Sequence, residues 1–244
     1  MIRRALRAQA LSFVGDVVLL GVAAAAFVMA LTLATSIPPQ IADAPAGMRD
    51  ELTAPFGAVI ATYGAVLAAV YGSFRYTIDR RDGVIAQRLT MQPRRAVFLA
   101  RIPASAVGGA LVALAGVVGG HTALMVTLGG VPMEWSVVGS TLALGAVAGL
   151  WGMGIGVVVQ AHLVALFVAS LSLGAAMLVA LFWKGGAVYL PLLAMLAALR
   201  FDLTAVGIMP KDSLDSTLAV LVAAGWTLAA LLTGGAVFMN RDVK

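Results

Sequence analysis

The sequence predicts an all-α integral membrane protein with six transmembrane helices, built as a single domain over residues 1–244. Three observations carry that expectation. Hydrophobic residues make up 61% of the chain and charged residues 11%, whereas soluble domains are about one quarter charged. Residues 17–42, 52–74, 102–133, 135–183 and 216–240 contain no Asp, Glu, Lys or Arg, and a bilayer span needs roughly 20 apolar residues. The fourth run is 49 residues long, enough for two spans and a turn, so five runs give six spans. Backbone in contact with lipid must bond within its own segment, so each run reads as helix.

The elements follow in order. "MIRRALRAQALSF" is a short basic stretch expected at the membrane interface. Arg3, Arg4 and Arg7 resemble the basic start of a signal peptide, and "ADA" at 42–44 resembles a cleavage site. The apolar run between them, about 20 residues, is longer than the roughly 7–15 of a signal-peptide core, so it reads as a retained first span. That span covers about 14–36 and ends before Pro38 and Pro39, which cannot continue a regular helix. A polar loop runs to Glu51, and span two covers about 54–74. A basic loop follows, then span three at about 103–128, closed by "LGGVPMEW". Span four covers about 136–159, "QAH" makes a tight turn, and span five covers about 163–183. Residues 184–217 read as irregular, with Pro191 and Pro210. Within them the fifteen uncharged residues 185–199 are too few to cross at about 1.5 Å per residue. They form either a re-entrant segment or an amphipathic surface helix, with Tyr189 suited to the outer interface. Span six covers about 218–239, and "NRDVK" is a short tail.

An even number of spans puts both ends on one side. Twelve of the sixteen Lys and Arg residues fall on that side, seven of them between Arg75 and Arg101; only Arg49, Lys184, Arg200 and Lys211 fall opposite. The positive-inside rule therefore makes both termini and the basic loop cytoplasmic. Asp43, Asp50, Glu51, Glu134, Asp202, Asp212 and Asp215 all lie on the other side. The net charge of +5 and pI of about 10.1 follow topology in this way and do not call for nucleic acid. With no cysteine, disulfides and thiolate metal sites are excluded.

The basic loop has an internal order that topology alone does not require. Gly83 and Pro93 bracket a stretch of two to three helical turns. Asp82 is placed to cap it, Val84, Ile85 and Leu89 cluster on one face, and Pro93 stops it. The alternative is a solvated loop that only sets orientation. In span four, Gly145, Gly149, Gly152 and Gly156 have the small-xxx-small spacing that lets membrane helices approach closely. The "GLWGMGIG" around them is not a dinucleotide loop, because no strand precedes it. Asp16, His121, His162 and Glu134 sit near span ends and read as interfacial structural residues. No carboxylate falls near the middle of a span, where a proton- or sodium-coupled carrier would place one. Asp79 and Asp82 among five arginines make a poor metal site. A phosphate-binding P-loop needs Gly before its Lys, but Lys184, Lys211 and Lys244 follow Trp183, Pro210 and Val243.

The order of these pieces resembles the permeases of type-2 ABC exporters, and more narrowly those of bacitracin-type drug or peptide exporters. Asp79 matches that family's acidic position, Arg81 its Arg and Gly83 its Gly. Leu89 matches an apolar position, Pro93 the Pro, and Arg94 and Arg95 the closing basic residues. Val84 departs, since Thr is usual after the Gly. "GLWGMGIGVVVQAHLVALFVASL", "YLPLLAMLAAL" and "FMNRDV" resemble the family's span four to span five hairpin, its segment before span six and its ending.

The resemblance implies a coupling helix between spans two and three, with ATPase-coupling residues Asp79, Arg81, Gly83, Val84, Ile85, Arg88, Leu89, Pro93 and Arg95. It also implies a re-entrant helical pair between spans five and six. The chain would then not be an enzyme and would hold no cofactor. ATP and Mg would bind a separate ABC ATP-binding subunit, present in two copies. A second permease chain, identical or related, would complete a pathway in a bacterial inner membrane, in contact with membrane lipid and with no nucleic acid. The cargo would be apolar or amphipathic, such as a drug, peptide or lipid, and drug or antibiotic resistance a consequence. The competing classes are a secondary transporter with no ATPase partner and a polytopic membrane enzyme.

Overall fold

The computed structural model describes residues 2–38, 41, 44–129, 134–209 and 212–241. Pro39, Asp43, Pro210, Lys211 and Lys244 lie outside the described residues, as do the side chains of Arg49, Asp50 and Glu51. The described chain is helical, with no strand among the described residues. In order the helices are α1 (Ile2–Leu11), α2 (Val17–Thr35), α3 (Ala46–Arg81), α4 (Val84–Met91) and α5 (Arg94–Leu128). They continue with α6 (Trp135–Val159), α7 (His162–Phe182), α8 (Lys184–Ala187), α9 (Pro191–Ala198) and α10 (Ser216–Asn240), with a 3₁₀ turn at Leu203–Val206 before α10. Six of these, α2, α3, α5, α6, α7 and α10, are long and apolar enough to cross a membrane. The architecture is that of a multi-pass membrane protein.

Three boundaries differ from those read off the sequence. The basic N-terminal stretch is a helix of its own, separated from α2 by a turn at Gly15. Span two does not stop at residue 74 but runs on to Arg81, and span three begins at Arg94 instead of about 103. Half of the expected basic loop is therefore the end of α3 and the start of α5. Charge ends the membrane-compatible stretch but not the helix, since Arg is a good helix former. At about 1.5 Å per residue, the 36 residues of α3 extend about 54 Å, beyond a hydrocarbon core of roughly 30 Å.

The helices sort into an inner pair and an outer ring. In the most apolar stretch of α3, 67% of residues are buried, and in α6 56%, against 17% in α2, 28% in α7 and 22% in α10. Glycine sets the spacing of the inner helices. A Cβ at Gly152 on α6 would run into the Ala69 carbonyl oxygen of α3, and one at Gly156 would sit 2.8 Å from Ser73. On the same helix Gly145 and Gly149 face α5, where a Cβ at Gly149 would lie 2.5 Å from the Ser105 carbonyl oxygen. The four glycines thus serve two contacts: Gly145 and Gly149, nearest Trp135, meet α5, and Gly152 and Gly156, nearest Val159, meet α3. Without a hydrophobic force between helices in lipid, such close backbone approach is a main source of association.

Between α7 and α10 the chain makes α8 and α9. Pro191, Leu192, Leu193, Ala194, Met195 and Leu196 of α9 are all buried, packed against α10 and α7. Six consecutive buried residues rule out the amphipathic surface helix, which would need a solvated side. Nε1 of Trp226 on α10 donates to the Tyr189 carbonyl at 2.7 Å and ties the start of this pair to the last span.

Candidate functional site

Most of the cations gather where α1, α4 and the end of α10 meet the long helices, here called the basic end. Local sequence places the charged residues there. Asp16 precedes the apolar run of α2 and caps it, accepting from the Leu19 N–H at 3.1 Å. Arg75 and Asp79 are one turn apart on α3, the i,i+4 spacing that pairs side chains. Arg101 lies two turns into α5 and faces α3.

Together these four form an alternating chain of charges. Arg75 Nε meets Asp16 at 3.1 Å, Arg75 Nη1 meets Asp79 at 3.0 Å, and Arg101 Nη2 meets the other oxygen of Asp79 at 2.6 Å. The side chains of Asp16, Asp79 and Arg101 are only 2%, 5% and 2% exposed. The Tyr71 hydroxyl donates to Asp16 at 3.2 Å, and Arg75 Nη2 donates to Ser12 Oγ at 2.9 Å. Arg101 also lies over the Tyr76 ring, 5.5 Å from its centre, while its Nε has no hydrogen-bond partner among the described residues. The four formal charges cancel. Charges this deep persist only when paired, because a lone buried ion costs several kcal/mol. The chain of pairs fastens the α1–α2 turn, α3 and α5 to one another.

Between α3 and α5 sits α4. Its N-terminus is set by Gly83, whose φ of 73° lies in the left-handed region that glycine adopts without strain. Asp82 does not cap α4; it closes α3, and its carboxylate accepts from Arg81 Nε at 3.1 Å on the surface. The apolar face of α4 is not presented outward either. Ile85 is fully buried among Tyr76, Val97, Phe98, Met153 and Phe238, and Leu89 packs against the same cluster. An apolar face finds the nearest apolar surface, and here that is the protein's own bundle. The exposed side of α4 carries Gln87, Thr90 and Met91, with Arg81, Gly83, Pro93 and Arg95 exposed around it and Val84 half-buried. Leu89 reaches a shallow groove of about 400 Å³ shared with Ala86, Thr90, Gln92, Pro93 and Arg94.

The other expected coupling residues divide accordingly. Asp79 is internal, part of the charge chain. Arg88 turns to α1 and donates to the Gln9 side-chain oxygen. Burial first, and the nearby Arg101 charge second, push its pKa below the usual value, although a guanidinium stays protonated at any physiological pH. Arg94 reaches across to α10 and donates to the carbonyls of Phe238, Met239 and Arg241, the last at 2.6 Å. A cation on the final carbonyls suits the negative end of the helix. His162, the first residue of α7, contacts Thr77 Oγ1 through Nδ1 at 3.0 Å and stacks on Phe74 at 4.1 Å. Among the described residues no three His, Cys, Asp or Glu converge as metal ligands.

Sequence reading missed Arg75 and Arg101 as parts of a site, and also Met91. The Arg75–Asp79 spacing was a usable signal once α3 was known to continue. Arg101 had none, because its partner depends on how α3 and α5 cross. No protein-family model matches the chain, and no curated protein is similar to it at a significant level.

Proposed function

We propose that this chain is the transmembrane permease subunit of an ATP-driven ABC exporter, with α4 as the element that meets a separate ATP-binding subunit. One observation carries the reading. A two-turn helix with an exposed outer side is held at the basic end by a buried anchor, Ile85, between the two longest helices. A push on α4 is thereby a push on α3 and α5, which are joined directly above it by Asp79 and Arg101. In this reading the basic end is cytoplasmic, as the charge bias favours, and α8 and α9 form a re-entrant pair opening to the other side. Two permease chains and two ATPases work together in a bacterial inner membrane. ATP and Mg bind in the partner, whose closure reorients the bundle and moves an apolar or amphipathic cargo.

A secondary transporter is the competing reading. It needs a carboxylate free to take up a proton or cation, whereas Asp16 and Asp79 are each matched by arginine. The test is purification in mild detergent from cells that also express a neighbouring ABC ATPase. Co-elution, with ATP hydrolysis stimulated by this chain, is expected. Single cysteines at Gln87, Thr90 or Met91 should crosslink to that ATPase, and failure of both would sink the reading.

A further inference from the structure

Two groups of arginines at the basic end contrast. Arg75, Arg88, Arg94 and Arg101 all have partners within the chain. Arg3, Arg4 and Arg7 are exposed on α1, and among the described residues no carboxylate stands within ion-pair reach of them. Helix α1 itself has no acidic residue. It is fastened to α5 by a narrow face, with Ala5 packed against Ala96 and Ala100. Beside it Gln9 is buried and accepts from Arg88. The side that carries the three arginines is open, and it is not only polar: Leu6, Leu11 and, in the turn that follows, Val14 are exposed large hydrophobics. Cations and large apolar side chains together on a short helix suit the boundary between lipid headgroups and acyl chains.

Just past that turn lies a groove of about 400 Å³ between α2 and α5, lined by Phe13, Val17, Leu19, Leu20, Ala23 and Leu111, with Asp16 also in its lining. Its lining is almost all apolar, and its one carboxylate is already taken by Arg75 and Tyr71. We propose that α1 and this groove form a binding site for one anionic phospholipid, its phosphate held by the α1 arginines and an acyl chain lying in the groove. The charge balance selects the occupant. A zwitterionic headgroup brings a cation along with its phosphate, and the one carboxylate at the groove is already paired. An anionic headgroup meets Arg3, Arg4 and Arg7, which among the described residues have no carboxylate partner. The site does not depend on the export reading.

The experiment is native mass spectrometry of the full chain purified into micelles holding equal amounts of phosphatidylglycerol and phosphatidylcholine. Wild type should retain phosphatidylglycerol preferentially, by tenfold or more. Each basic residue near an anionic surface contributes about 1 kcal/mol, which is roughly a fivefold change in affinity. Replacing Arg3, Arg4 and Arg7 together by Gln should abolish the preference, while replacing them by Lys should keep it. The Gln variant should unfold at the wild-type temperature in phosphatidylcholine alone, separating lost binding from lost folding. Ala23→Trp, which fills the groove and leaves the arginines alone, should lower retained phosphatidylglycerol. Equal retention of both lipids by wild type, or full selectivity in the Gln variant, would overturn the proposal. So would displacement of the lipid by inorganic phosphate, which would make the ligand a free anion.

Discussion

Asp79 and Arg101, 22 residues apart in the sequence and on opposite sides of α4, meet at 2.6 Å with both side chains buried. The pair closes the top of the α3–α4–α5 unit as Ile85 closes its base. Since Asp79 also holds Arg75, which holds Asp16, the same contact reaches the start of α2.

Asp79→Leu is therefore expected to be severe. It strands the fully buried Arg101 and leaves Arg75 with Asp16 alone, and breaking a buried pair from one side costs about 3–5 kcal/mol. Asp79→Leu combined with Arg101→Leu should recover part of that loss, because no buried charge then remains at this end of the chain of pairs. Thermal unfolding of the four members of the cycle in one detergent gives the coupling energy. Additive losses would mean that the two residues do not depend on each other.

Gly152→Leu tests the inner helix contact. The added Cβ alone collides with the Ala69 carbonyl, a backbone atom that cannot turn away. Overpacking costs about 1–3 kcal/mol, occasionally more, when the neighbours cannot move. Gly174→Leu on α7 is the control, since nothing lies within 4 Å of a Cβ there. A clear fall in melting temperature is expected for the first variant and none for the second.

The sequence made some of this plain and concealed the rest for definable reasons. The uncharged runs located all six long helices, because the cost of charge in lipid is written into composition. The short helix after Gly83 was also legible, from Gly83, Pro93 and the apolar spacing between them. Its orientation was not. Val84, Ile85 and Leu89 read as an outward contact face because a sequence shows that a face is apolar but not which partner covers it. The end of α3 was misplaced for a related reason. Arg75 to Arg81 looked like loop because they are charged, yet four of the neighbouring residues, Ser73, Tyr76, Thr77 and Asp79, are buried against other helices. The pairing of Arg101 could not be read at all, since it arises from helix crossing.

The segment between Lys184 and Arg200 offers a topological test. The chain has no cysteine of its own, so single cysteines report without background. If α8 and α9 enter and leave on one side, Lys184→Cys and Arg200→Cys both label with a membrane-impermeant maleimide from the face opposite α4. Labelling of the two from different faces would mean that this segment crosses, and the count of six spans would fail.

The two sides of α4 should behave differently, and that contrast tests the coupling role directly. Ile85 is fully buried, and an apolar side chain of its size contributes about 1.5–3 kcal/mol by burial. Ile85→Asp also puts a charge in that apolar cluster, so it should lower folding yield and melting temperature. Met91 is 79% exposed, and substitutions at such surface positions usually stay within about 0.5 kcal/mol. Met91→Asp should leave melting and membrane insertion as in wild type. If α4 meets an ATPase, an acid there meets a partner surface matched to an apolar tip ringed by Arg81 and Arg95, and coupling should suffer. Transport and stimulated ATP hydrolysis in reconstituted membranes are the measurements. A Met91→Asp chain that folds and still transports at the wild-type rate would show that the outer side of α4 touches no partner. Its arginines would then serve orientation alone.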